Sequence, residues 1–447
     1  MLKVRRLLTA LSLTVMMPLA LAACGDSPTV EFSPPPTATA APIQKLEVPL
    51  EQPHYGFTYQ RPDGNRYVEG QGNLPDAQVL DIELSGTPQW LVAASAGSGS
   101  IWVAVFQDGQ TQAFRVECEK AVEIGVAPSI LPPGAPPLLA VAGGEAFLIA
   151  PPSDAASPLT HPVPLGNSGR LAFIETDGDL VVWQDGAESG RSAVDALPDA
   201  RLMVDEDARV LLLTKPSDRY PHGIVGDSLE ATEITLVETQ PSLRVAQTIA
   251  IPGNAVVEGI SPIWADLNGD GQREIIVTVS DSQQGAEIVV YAEAGDRLGA
   301  GPAVGRGSRW RHQLAVAPFG PNGEFELGEV LTPHIGGIAG FYRLDHGALI
   351  LLAQRDGVTS HTIGSRNLDM GLAGDLDGDG QPELVVFNQR FTEVTALRRT
   401  PDGIEPAWQT EVGGKAVTNL AASADSNGGL TLGVGRDDGV LRLWLAH

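Results

Sequence analysis

The sequence predicts an all-β fold, a seven-bladed β-propeller, from three observations. Short runs rich in β-branched and aromatic residues alternate with Gly/Asp turns. An acidic motif recurs at steps of roughly 50 to 60 residues, the range of a four-stranded blade with its loops. No long amphipathic helix interrupts the pattern.

The strand runs come first. Ile101–Val105, Leu180–Trp183, Val210–Leu213, Glu274–Val279, Ile288–Tyr291, Leu384–Phe387 and Leu441–Trp444 are apolar stretches of strand length, and turn pairs such as Asp108-Gly109, Asp185-Gly186 and Asp402-Gly403 punctuate the chain. The segment Asp177-Gly-Asp-Leu-Val-Val-Trp183 matches Asp438-Gly-Val-Leu-Arg-Leu-Trp444, as equivalent outer strands of two blades would. Repeat anchors fall near residues 81, 141, 204, 266, 318, 375 and 423, which sets the expected count at seven. Tyr55 to Gly72, with a turn at Pro62-Asp-Gly64, reads as a hairpin that completes the last blade and closes the ring. A closed ring leaves no long open sheet edge, although a pair of β-sandwiches would use the same strands.

Ahead of the body stand two further segments. Residues 1–23 combine a basic start (Lys3, Arg5, Arg6), an apolar run from Leu7 to Leu19 and small residues before Cys24, the layout of a secretory signal. Leu21-Ala-Ala-Cys24 resembles the lipobox of bacterial lipoproteins, which implies lipidation of Cys24 and attachment to a bacterial membrane. Gly25 lacks the aspartate that retains some lipoproteins at the inner membrane, so the expected location is the outer membrane or cell surface. Residues 24–53, with Ser33-Pro-Pro-Pro36 and Ala41-Pro42, read as an extended, semi-rigid linker, leaving 54–447 for the propeller.

Charge narrows the partners. The formal net charge of the 447-residue chain is −26, and the signal carries three basic residues and no acid, so the remainder comes to −26 − 3 = −29. That surface disfavours nucleic acid and favours solubility and cations. Of the two cysteines, Cys118 lies between Glu117 and Glu119, which would raise its pKa, and reads as a buried structural residue.

Two motifs carry the chemistry. Residues 266–274 read Asp-Leu-Asn-Gly-Asp-Gly-Gln-Arg-Glu, and 375–383 read Asp-Leu-Asp-Gly-Asp-Gly-Gln-Pro-Glu. Oxygen ligands at alternate positions of a tight loop converge on one hard cation, glycine at the sixth position permits the turn, and a carboxylate three residues later closes the cage. The expected Ca²⁺ ligands are Asp266, Asn268, Asp270, the Gln272 carbonyl and Glu274, then Asp375, Asp377, Asp379, the Gln381 carbonyl and Glu383. An EF-hand would need glutamate at position twelve, where Val277 and Val386 stand inside strand runs. The plainer reading makes these loops acidic turns whose aspartates cap their own amides. The motifs resemble the FG-GAP and VCBS repeats of integrin-α-type propellers, which implies calcium-bearing loops between neighbouring strands of a blade. The ninth position departs from that pattern, being glutamate instead of aspartate.

No hydrolase elbow, phosphate loop, dinucleotide fingerprint or metal-binding histidine spacing is present. The tryptophans sit mainly in strand runs, where packing between blades explains them. The expectation is a monomeric, non-catalytic, calcium-stabilised protein that binds a protein or glycan outside the cytoplasm. The alternatives are a propeller-fold polysaccharide lyase or hydrolase, and a scaffold similar to the PQQ-like propeller of envelope assembly.

Overall fold

Strand runs that are apolar on both faces need a layer of protein on either side, and the structure, a computed structural model describing residues 53–446, supplies it by stacking sheets around an axis. No helix occurs among the described residues. Blade 1 comprises Pro88–Ala96, Gly99–Phe106, Thr111–Glu117 and Lys120–Ile124, and blade 2 comprises His54–Phe57, Leu138–Ala142 and Glu145–Leu148. Blade 3 holds Val163–Pro164, Leu171–Ile174, Asp179–Gln184 and Ala187–Ala193; blade 4 holds Met203–Val204, Val210–Ser217, Glu230–Glu238 and Arg244–Ala250. Blade 5 is Ile263–Ala265, Glu274–Asp281, Gly285–Ala292 and Arg297–Ala300; blade 6 is Arg311–Ala317, Glu326–Leu331, Ile338–Asp345 and Ala348–Asp356. Blade 7 is Leu372–Asp375, Glu383–Asn388, Glu393–Thr400 and Gly403–Glu411, and blade 8 is Ala421–Ala424, Leu430–Gly435, Val440–Leu445 and Gln78–Glu83. The body is a β-propeller.

Burial follows position in the blade. Second strands such as Gly99–Phe106 and Glu274–Asp281 are buried along nearly their whole length, whereas outermost strands such as Lys120–Ile124 and Arg244–Ala250 are largely exposed. The cores lie between blades. Trp102 and Phe114 of blade 1 pack with Leu441 and Leu443 of blade 8, and Ile276 and Ile288 of blade 5 pack with Val316 and Leu327 of blade 6. One close contact between blades 1 and 8 is at Gly433, where a Cβ would come within 2.4 Å of the Trp102 ring. Six of the seven tryptophans are buried, in keeping with packing between blades.

Three expectations change. Pairing alone gives seven sheets, but the nine-stranded one is blades 4 and 5 joined through the two-residue strand Val256–Val257, so eight strand groups replace the expected seven. The anchors missed two because the turns after the innermost strands of blades 1 and 3 carry no acid, while the anchor near Asp81 lies on an outermost strand. The two matching Trp segments are indeed equivalent, as third strands of blades 3 and 8. Cys118 is exposed, in a tight turn at φ 44°, and not buried.

The third change concerns the Tyr55–Gly72 segment. Its turn forms, with Gly64 N–H donating to Arg61 O at 3.0 Å, but its flanks do not pair with each other. His54–Phe57 supplies the innermost strand of blade 2, and Tyr67–Gln71 runs parallel to the innermost strand of blade 7. Between them the chain crosses the axis, accepting from Val204 N at Pro62 O (2.8 Å), from Trp264 N at Asp63 O (2.9 Å) and from Ala373 N at Arg66 O (2.8 Å). Gln78–Glu83 then closes the ring by pairing with Val440–Leu445. The expected signal (1–23), the expected lipidation site Cys24 and all but the end of the expected linker (24–53) lie outside the described residues.

At the centre, Asp369 is the counter-ion of the crossing. Its Oδ1 accepts from Arg66 Nε at 2.7 Å and from Arg201 Nη1 at 2.8 Å, and its Oδ2 accepts from Arg201 Nη2 at 2.8 Å. All three side chains are at most 2% exposed. Burial alone would raise the Asp369 pKa, but the two guanidinium groups outweigh it and hold the acid at about 2.

Candidate calcium loops

The two acidic motifs form the turns between first and second strands of blades 5 and 7, on one face of the propeller, and their hydrogen bonds match position by position. The first residue caps the amides of the fourth and sixth: Asp266 accepts from Gly269 N at 2.6 Å and Gly271 N at 2.8 Å, and Asp375 from Gly378 N at 2.8 Å and Gly380 N at 3.0 Å. The fifth caps the seventh, Asp270 with Gln272 N at 2.8 Å and Asp379 with Gln381 N at 2.9 Å. The ninth reaches back to the second, Glu274 with Leu267 N at 2.7 Å and Glu383 with Leu376 N at 3.1 Å. Glycines at φ 77° to 91° occupy the fourth and sixth positions, a backbone region that side chains with a Cβ rarely enter.

The amide-capping expected of plain acidic turns is therefore present, but it does not use every oxygen. In blade 7 the ligand oxygens of Asp375, Asp377, Asp379 and Glu383 all lie within 4.8 Å of one another. The oxygens left over converge on a positive group: Arg398 reaches Asp377 Oδ2 at 2.5 Å, Asp379 Oδ2 at 2.9 Å and Glu383 Oε1 at 2.7 Å. In blade 5 the Asn268 amide nitrogen donates to Asp270 Oδ2 at 3.1 Å and Glu274 Oε1 at 3.0 Å. The loop of blade 5 opens on an acidic cleft of about 700 Å³ shared with Asp205, Glu206 and Asp207 of blade 4.

Both ninth residues are stressed as anions. Burial, then the Asp270 and Asp266 charges, push the Glu274 pKa up to about 7. Burial and the Asp377 charge push Glu383 up to about 8, against the pull of Arg398. The donor set is hard oxygen throughout, which suits Ca²⁺. The weaker repeat copies cap themselves in the same manner but lack the full set: Asp425 binds the amides of Asn427 and Gly429, and Pro321-Asn322-Gly323-Glu324 holds one carboxylate.

Sequence reasoning missed a second group, on the opposite face. His312 is the second residue of the innermost strand of blade 6, His334 lies in the loop ahead of its third strand, His361 precedes blade 7 and His222 lies in a blade 4 loop. Trp310 stacks on His312 with centroids 4.5 Å apart, His334 Nε2 lies 2.7 Å from His361 Nδ1, and His222 Nδ1 contacts Glu258. Burial lowers the pKa of His334 to about 4 and of His361 to about 3, so both are neutral near pH 7. Histidines spread from 222 to 361 carry no local spacing, and only the ring brings them together.

No described protein family matches the chain, and neither does any curated protein. Among solved structures, a europium-containing methanol dehydrogenase is similar at 8% identity, covering 85% of this chain and 89% of that one with a TM-score of 0.53. A chain of the mitotic checkpoint complex aligns over 86% of this chain and 99% of that one at 10% identity and a TM-score of 0.44. At such identities the first likeness establishes the propeller fold and nothing of its chemistry.

Proposed function

We propose that this chain is a calcium-stabilised, non-catalytic binding propeller, held by lipid on Cys24 to the outside of a bacterial membrane and presenting its loops to a protein or glycan. The observation that carries the calcium reading is the pair of matched loops, each with carboxylate oxygens unspent on backbone amides and gathered on one side-chain donor, Asn268 in blade 5 and Arg398 in blade 7. Asp266, Asn268, Asp270, the Gln272 carbonyl and Glu274 would hold one ion; Asp375, Asp377, Asp379, the Gln381 carbonyl and Glu383 the other. Asn268 would turn its amide so that oxygen replaces nitrogen toward the cation. The ions would neutralise buried carboxylates and fix the turns that join the first two strands of blades 5 and 7. The resemblance of these loops to the FG-GAP and VCBS pattern, apart from glutamate at the ninth position, supports the same reading.

The test is calorimetric melting of the purified protein with calcium and with chelator. Calcium should raise the melting temperature and slow proteolysis at 266–274; identical melting and cleavage in both conditions rule the sites out. Membrane attachment is tested separately, by loss of membrane fractionation in Cys24→Ala.

A second reading has one observation behind it, the His222–Glu258 pair beside His334 on the opposite face. An imidazole oriented by a buried carboxylate is the arrangement of a general base. Depolymerisation of acidic glycans by the purified protein, abolished in His222→Ala, would establish an enzyme in place of a binding protein.

A further inference from the structure

The two loops differ at one place that changes how they meet a cation, and the inference drawn from it rests on the calcium reading above. The third position is Asn268 in blade 5 and Asp377 in blade 7, so the first loop offers three carboxylates and the second four. The extra acid is balanced from the neighbouring strand. Leu384 pairs with Leu397, which sets Arg398 beside Glu383; in blade 5 the residue paired with Glu274 is Ala292. Counted with that neighbour, the blade 7 loop carries −4 + 1 = −3 and the blade 5 loop −3 + 1 = −2, its one positive charge being Arg273, which is engaged outside the loop by Asp63 and Glu206. Only in blade 7 is a cation already in place, on Asp377, Asp379 and Glu383 at 2.5, 2.9 and 2.7 Å. Among the described residues, no lysine or arginine forms an ion pair with Asp266, Asp270 or Glu274.

We propose that Arg398 is a tethered competitor for calcium at the blade 7 loop, so that the two loops are a tight site and a weak, arginine-guarded one. The guanidinium satisfies the same three oxygens that a metal would need. Calcium entering there must displace it and then tolerate its charge nearby, whereas calcium entering the blade 5 loop displaces only a neutral amide. The blade 7 turn therefore stays closed at low calcium, and the blade 5 turn is the one that responds first. Arg398 is 24% exposed, with solvent room to swing aside.

Calcium titration of the full-length protein by calorimetry tests this, comparing wild type with Arg398→Gln and with Ala292→Arg. Wild type should show two separable sites. R398Q should tighten the weaker one by roughly tenfold and leave the other unchanged. A292R, which places a guanidinium at the matching register of blade 5, should weaken the tighter one by a similar factor. In chelator R398Q should melt below wild type, and calcium should recover the difference. Calcium binding that is the same in R398Q and wild type overturns the inference while leaving the calcium reading intact. A loss of stability in R398Q that calcium does not recover also overturns it, because Arg398 is then a structural ion-pair partner only. Absence of calcium binding in all three proteins removes the calcium reading, and this inference with it.

Discussion

Replacing Asp369 by asparagine tests how the ring is held at its axis. Asp369 takes three charge-assisted hydrogen bonds, from Arg66 on the crossing segment and from Arg201 ahead of blade 4. Asparagine keeps the shape but removes the charge and turns a donor toward one guanidinium, leaving two arginines, 1% and 2% exposed, without an anion. Removing one partner of a buried ion pair costs about 3–5 kcal/mol, most of it from stranding the other charge. Unfolding a domain of about 390 residues carries an entropy near 0.8 kcal/mol/K, so about 4 kcal/mol lowers the melting temperature by about 5 °C. The assay is scanning calorimetry of wild type and D369N at neutral pH and one scan rate. A shift below about 1 °C would show that water or a rearranged neighbour neutralises the arginines, and the axial ion pair would then be no part of what holds the crossing segment.

Two other perturbations probe the same region. At Gly56 a Cβ would lie 2.1 Å from the Ala93 carbonyl oxygen of blade 1, so Gly56→Ala must push the strand His54–Phe57 away and should cost about 1–3 kcal/mol by denaturant titration. His161 is buried against Tyr59, donates from Nδ1 to Pro162 O at 2.9 Å, and has its pKa lowered by burial to about 4. The folded state thus takes up this proton later than the unfolded chain, whose histidine titrates near 6.5. The stabilising contribution is complete above pH 6.5 and is lost as pH falls towards 4, at about 1.4 kcal/mol per pH unit. His161→Phe should flatten the acid limb of the stability profile by about one proton, and an unchanged slope between pH 6.5 and 4 would contradict it.

How much of this was legible in the sequence depended on how local the determining contacts are. The blade strands could be read because both-sided burial leaves an unbroken apolar run, as at Ile275–Val277 and Leu384–Phe387. The acidic loops could be read because every capping bond closes within nine residues. Arg398 could not, since its place beside Glu383 is set by strand register. Nor could the path of Arg61–Gly64: a Pro-Asp-Gly turn announces a reversal, but not whether the arms it joins meet each other or two different blades. The histidine face stayed hidden for the same reason, being assembled from the loops of three blades.

The ring closure also constrains the order in which the protein can be made. Residues 54 to 83 serve blade 2, the axis, blade 7 and blade 8, yet they precede nearly all the strands with which they pair. The strand Gln78–Glu83 cannot pair until Val440–Leu445 exists, more than 350 residues later. Contacts of such separation slow folding, because the chain loses loop entropy before the contacts stabilise it. Once formed they have the opposite effect. The first described segment is pinned at the axis and the last strand is covered by Gln78–Glu83, so unravelling of the described blades requires rupture at the closure or the centre. A closure of this kind is expected to slow both assembly and unravelling, so that lifetime reflects kinetics as well as equilibrium stability.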